Sequence, residues 1–192
     1  MNEFQNRVMF FKNKLTDIDA SMEAYNQLNA NGVACDGALQ NGRLYVLDYF
    51  DDVYRKKKKL YDTHPIVLGL GQSTKNHEVS YGINLHVMPP DIRTQFINDV
   101  YTTFKKHIEI NIREYDADSQ HYIPQFTFKN VFDAFEKVYH ISKTIISCDI
   151  TFMESVKVLN FFDWCWAAFE NEDFFDNGSL FDVQKAYLKS FQ

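Results

Sequence analysis

The sequence has few cysteines and no long apolar run, and each absence excludes a class of protein. Three cysteines, an odd number without close spacing, exclude a disulfide framework and indicate a reducing compartment: Cys35, Cys148 and Cys165. No run approaches the roughly 20 apolar residues of a membrane span. The first residues contain neither the apolar core nor the cleavage site of a signal peptide. We therefore expect a soluble protein that is cytosolic when made and has no membrane partner.

Local motifs of the common catalytic and cofactor sites are also missing. Gly69-Leu70-Gly71 lacks the lysine and serine of a phosphate-binding loop, and no GxSxG nucleophile elbow occurs. The six histidines are scattered, without the HExxH spacing of zinc sites: His64, His77, His86, His107, His121 and His140. His86 is predicted on the outward face of a strand, where His64 could approach it as a metal pair, but hydrogen-bonded structural histidines are the favoured interpretation. We expect no enzyme activity, no cofactor and no metal site.

Acidic residues outnumber basic ones by 26 to 20, which gives a formal net charge of −6. This negative charge argues against a generic nucleic-acid coat. The exception is one basic run between Tyr54 and Tyr61: Arg55, Lys56, Lys57, Lys58 and Lys59. These residues are candidates for contact with a protein partner or with nucleic-acid phosphates, and the tyrosine rings could stack on bases. The alternatives are a solvated loop or a metal-dependent hydrolase centre, both of which would use the neighbouring acids: Asp48, Asp51, Asp52 and Asp62.

Aromatic residues are abundant, with 18 Phe, 11 Tyr and 2 Trp making up 16% of the chain. An aromatic-rich core is the favoured explanation, and an aromatic assembly surface is the alternative. The stretch from Asp163 to Asp182 contains many acidic and aromatic residues and no lysine or arginine. This stretch is either a helix with one packed face or a docking surface for a basic partner, such as the basic run of another copy.

Alternation and helical spacing predict an α+β protein. Strands are predicted at Arg43–Phe50, Pro65–Leu70 and Val79–Val87, and the last two form a central β-hairpin. Met88, Pro89 and Pro90 end the hairpin, and Asp91 caps a helix that continues to Glu114. Further helices are predicted at about 2–29, Val131–Ser142 (capped by Asn130), Phe152–Phe169 and Leu180–Phe191, whereas Ile123–Phe128 and Thr144–Ile150 stay ambiguous.

These elements predict a single domain over residues 1–192. It would comprise the long N-terminal helix, a hairpin-and-helix core over 43–114 and a helical C-terminal part over about 130–192. The sheet would be small and antiparallel, and an SH3-like arrangement is one option. The N-terminal helix would either dock on this domain or reach a neighbouring molecule.

One set of residues around the hairpin resembles a pattern in small proteins of large tailed bacteriophages. The pattern consists of Tyr61, Asp62, Pro65, Gly82, Asn84, His86, Pro89, Pro90 and Arg93. The resemblance covers about Arg55–Phe104, and this chain departs from it in a longer polar hairpin turn (Gln72–Glu78) and in Met88. Such proteins are regarded as virion-associated or of unassigned role. The resemblance therefore implies a structural motif without catalytic residues.

Our leading interpretation is a structural subunit of a phage virion, in the tail, neck or collar. It would bind copies of itself and other virion proteins. The alternative is a nucleic-acid-binding accessory protein that uses the basic run.

Overall fold

The computed structural model describes residues 24, 26–35, 37–57, 62–114, 128–159, 161–168 and 180–192. The predicted N-terminal helix lies outside the described residues except near its end, where residues 26–31 are helical. The ambiguous segment Ile123–Phe128 also lies outside them, apart from Phe128, which begins a helix.

Six antiparallel strands form one sheet, in the order β1-β6-β2-β3-β4-β5. The strands are β1 (Val33–Ala34), β2 (Leu44–Tyr49), β3 (Ile66–Gln72), β4 (Val79–Asn84), β5 (Ile145–Asp149) and β6 (Met153–Val158). The three predicted strands correspond to β2, β3 and β4, and the α+β class is confirmed. The predicted three-stranded sheet was too small, because β5 adds to one edge and β6 with β1 to the other.

Glycines fix the register of the central hairpin. Gly69 lies opposite Gly82 in the β3–β4 pair, and a Cβ at Gly82 would lie 2.1 Å from Cγ1 of Val67. The register shifts between Gly69 and Gly71, and Gly71 has a φ of +97°, a conformation that glycine adopts without strain. The hairpin therefore depends on close backbone approach as well as on its apolar alternation.

Four further helices lie within the described residues: α1 (Asp52–Lys57), α2 (Pro90–Glu114), α3 (Phe128–Tyr139) and α4 (Leu180–Leu188). The predictions for α2 and for the last helix are confirmed, although the last helix continues after Leu188 as a 3-10 turn, Lys189–Phe191. Further 3-10 segments are Leu85–Val87, Ile141–Lys143, Ile150–Phe152 and Phe161–Ala168. None of the described helices is long and apolar enough to cross a bilayer.

The two faces of the sheet bury different clusters, as the alternation of side chains along a strand requires. Leu44, Ile66 and Ile83 face the larger core, where they meet the buried sides of α2 and α3. Tyr45 and Val67 belong to a smaller cluster that the loop residue Leu39 helps to cover. The helices α2 and α3 thus cover one face of the sheet, and on the other face the loop residue Leu39 packs against the side chains of the strands.

Several predicted boundaries and one predicted helix were wrong. Phe152–Phe169 is not a helix: Met153–Val158 pairs with β1 and β2 as strand β6, and Phe161–Ala168 is a 3-10 segment. Asn130 lies inside α3 instead of capping it. Strand β4 ends at Asn84 instead of Val87, because the Asn84 side chain accepts a hydrogen bond from the backbone N–H of His86 and starts a 3-10 turn.

Candidate functional site

The corner between β4 and α2, residues Asn84–Arg93, is held by polar groups of the sequence motif. Arg93 is fully buried, and its guanidinium donates to the carbonyl oxygens of Met88 (3.3 Å) and Ala167 (3.2 Å). Gln184 on α4 donates to the carbonyl oxygen of His86 at 3.2 Å. The corner therefore joins the sheet and α2 to the C-terminal part of the chain.

Asp62, Asn84 and His86 form a hydrogen-bonded network beside the corner. Oδ2 of Asp62 accepts from Nδ2 of Asn84 and from Nδ1 of His86, each at 2.8 Å. Oδ1 of Asp62 accepts from the backbone N–H of His64 at 3.2 Å. The side chains of His86 and Asp62 are 0% and 6% exposed, so the network is nearly dry. It connects the segment before β3 with the end of β4.

The remaining motif residues serve the backbone geometry or lie outside the described part. Pro65 is buried directly before β3, and Pro90 begins α2. The carbonyl oxygen of Pro89 accepts from the backbone N–H of Arg93 at 2.8 Å, which forms the first helical turn. Tyr61 lies outside the described residues.

The prediction that His86 faces outward was wrong, because the strand ends before it and the 3-10 turn directs the ring inward. The ring of His64 lies 3.5 Å from Asp48, whereas His86 contacts Asp62. The two histidine rings therefore contact different carboxylates. In the described ranges, no three His, Cys, Asp or Glu residues are grouped so that they could hold a metal ion.

A cleft of about 540 Å³ opens next to this network. Asp62 and Asn84 contribute to its lining, Lys143–Cys148 forms a second wall, and α4 with the turn after it forms a third. Among these described residues, the lining carries two lysines, Lys143 and Lys189, and one carboxylate, Asp62. Both lysines are exposed to solvent. The cleft therefore has a cationic mouth in a chain whose formal net charge is −6.

Two further groups of the cleft stay neutral at physiological pH. Burial raises the pKa of the Cys148 thiol to about 12, and the nearby Asp62 adds to the effect. Burial, followed by the charge of Glu136, raises the pKa of Tyr187, whose hydroxyl donates to the carbonyl oxygen of Tyr139. Neither group supplies a nucleophile at neutral pH.

The basic run lies in the chain between two residues that line the cleft. Its first residues form the end of α1, the side chain of Lys56 is exposed, and Lys58 and Lys59 lie outside the described residues. Tyr49 and Asp62, which precede and follow the run, both line the cleft.

Side chains near the start of α1 are apolar and exposed. Phe50 is 48% exposed and Val53 is 58% exposed, and the Phe50 ring meets the His64 ring edge-on at 6.4 Å. The acids that we considered as a hydrolase centre do not group into a metal site within the described residues. The structure instead places Asp48 beside His64 and Asp62 beside His86.

The acidic and aromatic stretch from Asp163 to Asp182 divides into core and undescribed residues. Trp164 and Trp166 are buried in the main core, and Asp163 accepts from Nδ2 of Asn31 at 3.0 Å. Residues 169–179 lie outside the described part, so the structure describes no exposed aromatic side chain of the predicted docking surface.

Sequence reasoning missed Lys143 and Lys189, because neither lies in a basic cluster or a motif. Each comes from a different C-terminal segment, and the packing of α4 against the Leu85–Val87 turn places Lys189 at the same opening as Lys143 and Asp62. No local sequence pattern could have identified this arrangement.

Comparison with known proteins gives one family match. The model of the family described as phage T4 terminal DNA protecting protein matches residues 19–114, which is half of the chain. Neither a curated protein nor a solved structure matches the chain significantly. The matched region contains the basic run, the Asp62–Asn84–His86 network and the corner. The chain therefore belongs to the family of the phage T4 terminal DNA protecting protein.

Proposed function

We propose that this phage protein binds the ends of linear DNA and shields them from exonucleases. The family match over residues 19–114 carries the proposal, because the family is described as protecting terminal DNA. The match confirms the phage origin that the resemblance implied. It favours our alternative interpretation, nucleic-acid binding, over the structural subunit of a tail, neck or collar. Our ranking of protein partners above nucleic acid is accordingly not supported.

The charge distribution supports binding at a restricted site. A formal net charge of −6 opposes coating of DNA along its length, because DNA binding requires cations to replace counterions. The basic run concentrates five of the chain's 20 cations within five consecutive residues. Such a segment can contact a few phosphates, which suits a protein that contacts one terminus and not a long stretch of duplex.

Protection would come from occupying the end and would not involve bond cleavage. Cys148 and Tyr187 are neutral at physiological pH, and the Asp62 network serves to join segments of the chain. Within the virion, the protein would lie at the DNA end that it binds.

A nuclease challenge tests this function. Linear duplex DNA is incubated with the full-length protein and then exposed to an exonuclease that degrades from ends, and intact DNA is quantified over time. We expect protection that rises with protein concentration and saturates. Replacing Lys56, Lys57, Lys58 and Lys59 with glutamine should abolish the protection, because four phosphate-binding cations are lost.

The matched control replaces four exposed lysines elsewhere: Lys75, Lys129, Lys137 and Lys185. This variant carries the same change in net charge, so its protection should remain close to that of the unmodified protein. Equal loss in both variants would show that protection depends on total charge only. Absence of protection by the unmodified protein would refute the proposed function.

A further inference from the structure

We propose that the cleft beside the Asp62–Asn84–His86 network receives the terminal nucleotide of one DNA strand, unpaired from its partner. This inference rests on the proposed function and extends it, since it explains how the protein distinguishes an end from the interior of a duplex. The ligand class is a single nucleotide at a strand end, with its base inside the cleft and its phosphate at the mouth.

A recess selects ends for geometric reasons. An interior nucleotide is stacked on both sides and joined to neighbours on both sides, so it enters a pocket only after being flipped out. A terminal nucleotide has one stacking neighbour and unpairs at lower cost. The cleft volume of about 540 Å³ falls within the range of roughly 300–1,000 Å³ that is typical of small-molecule pockets. One nucleotide is a ligand of that class.

The charges at the mouth suit a phosphate. Lys143 and Lys189 line the cleft and are exposed, so their ammonium groups can approach an anion without being desolvated beforehand. Ser190 is also part of this wall. The described lining carries two lysines and one carboxylate, so its charge is positive. The formal net charge of the whole chain is −6.

The inner surface suits a base. Pro65, Val87 and Val183 provide apolar contact, and Asp62 provides carboxylate oxygens. Oδ2 of Asp62 already accepts two hydrogen bonds, while Oδ1 accepts one at 3.2 Å from a backbone N–H. A carboxylate offers about four acceptor positions, so Asp62 can accept one more hydrogen bond from the exocyclic amine of adenine, guanine or cytosine.

The basic run would bind the duplex that leads to the cleft. In the chain the run lies between Tyr49 and Asp62, two residues of the cleft lining, so we assign the phosphates just inside the end to its lysines. The run would hold the backbone, and the cleft would recognise the end.

The test compares duplexes of identical sequence and different ends. Affinity is measured by fluorescence anisotropy for a linear duplex with an unpaired terminal adenosine and for a duplex whose two ends are closed by hairpin loops. We expect the unmodified protein to prefer the open end by at least about tenfold, which corresponds to about 1.4 kcal/mol. Ala186→Trp, which places a large ring in the lining of the cleft, should remove that preference.

Two further variants separate charge from shape. The double variant Lys143→Gln/Lys189→Gln should weaken binding to the open end by about tenfold and leave binding to the closed duplex unchanged. Lys75→Gln/Lys137→Gln and Ala134→Trp are the matched controls, because these exposed residues lie outside the lining and the changes in charge and size are the same. Both controls should keep the preference, and circular dichroism establishes that Ala186→Trp remains folded.

The outcomes distinguish the two levels of the proposal. If the cleft variants are folded and keep the full preference for open ends, the cleft inference is overturned while end binding stands. If Ala186→Trp does not fold, the Lys143→Gln/Lys189→Gln variant decides by the same criterion. If the unmodified protein binds open and closed duplexes equally, the proposed function fails, and the cleft inference fails with it.

Discussion

Replacing Asp62 with alanine should destabilise the protein by several kcal/mol, although the residue lies at the edge of a cleft. The substitution removes the acceptor of two hydrogen bonds of 2.8 Å, from Nδ2 of Asn84 and Nδ1 of His86. His86 is fully buried, so its donor has no access to bulk water after the substitution.

The magnitude follows from the two donors. A buried polar group left without a partner costs about 1–3 kcal/mol, which gives roughly 2–6 kcal/mol for the pair. Asn84 lines the cleft and His86 does not, so water can reach the Asn84 side chain more easily after Asp62 is replaced. We therefore expect the lower half of that range, about 2–4 kcal/mol. Asp62→Asn keeps one acceptor oxygen and should lose about half as much.

Urea unfolding followed by circular dichroism measures this change. With a slope of about 2 kcal/mol per molar urea, the midpoint should fall by at least about 1 M in Asp62→Ala. Asp133→Ala is the control: Asp133 pairs with Lys129 on the surface, where the two side chains are 59% and 81% exposed. Such a pair contributes less than about 1 kcal/mol.

A double-mutant cycle with His86→Ala then isolates the pairwise interaction, which should be at least about 1 kcal/mol. The reasoning is refuted if Asp62→Ala unfolds within about 0.5 kcal/mol of the unmodified protein. It is also refuted if the cycle gives additive effects.

Experiments on three further residues, Gly69, Arg93 and Cys148, test other parts of the structure. Gly69→Ala should cost about 3 kcal/mol in urea unfolding, because its Cβ would lie 2.2 Å from the backbone oxygen of Gln40; a loss below 1 kcal/mol would contradict this. Arg93→Met should cost about 1–3 kcal/mol, since the carbonyl oxygen of Ala167 loses its Arg93 donor while that of Met88 keeps a 3.4 Å hydrogen bond from Gln184; an unchanged midpoint would exclude that role. Cys148, whose pKa is raised to about 12, should resist alkylation at pH 8 while the half-buried Cys35 reacts, as mass spectrometry would show. The raised pKa of Cys148 also contributes to the free energy of unfolding below pH 9. This contribution is lost between about pH 9 and 12, because the thiol of the unfolded chain releases its proton first, and Cys148→Ala should reduce the loss.

The sequence predicted the elements whose pattern is local. Strand β3 is a short apolar run, β4 alternates apolar and polar residues, and α2 repeats apolar residues at helical spacing, so each could be predicted without knowledge of its neighbours. The ambiguous Thr144–Ile150 segment became β5, since the edge of β4 offers it hydrogen-bonding partners from Val79 to Ile83.

Strand β6 could not be predicted in this way. The apolar residues of the Phe152–Phe169 segment fit helical spacing, but hydrogen bonding to β1 and β2 outweighs that preference. Leu44 lies 115 residues before Leu159, yet its carbonyl oxygen accepts a 2.8 Å hydrogen bond from the Leu159 N–H. Such long-range pairing leaves no periodic signal in a single sequence.

The candidate site shows the same division. The motif residues Asp62, Asn84 and His86 could be selected from the sequence as a group, but their hydrogen bonds could not, because the end of β4 had to be known first. Lys143 and Lys189 complete the cleft from segments far apart in the chain. The basic run was visible in the sequence, whereas the structure was needed to show that Tyr49 and Asp62, which flank it in the chain, both line the cleft.

The central claim is that the protein binds DNA ends and not the length of the duplex. Binding stoichiometry on duplexes of three different lengths with identical ends, at one fixed salt concentration, tests it most directly. The account predicts that the number of protein molecules bound per DNA molecule at saturation is the same for all three lengths. A number that rises in proportion to duplex length would contradict it.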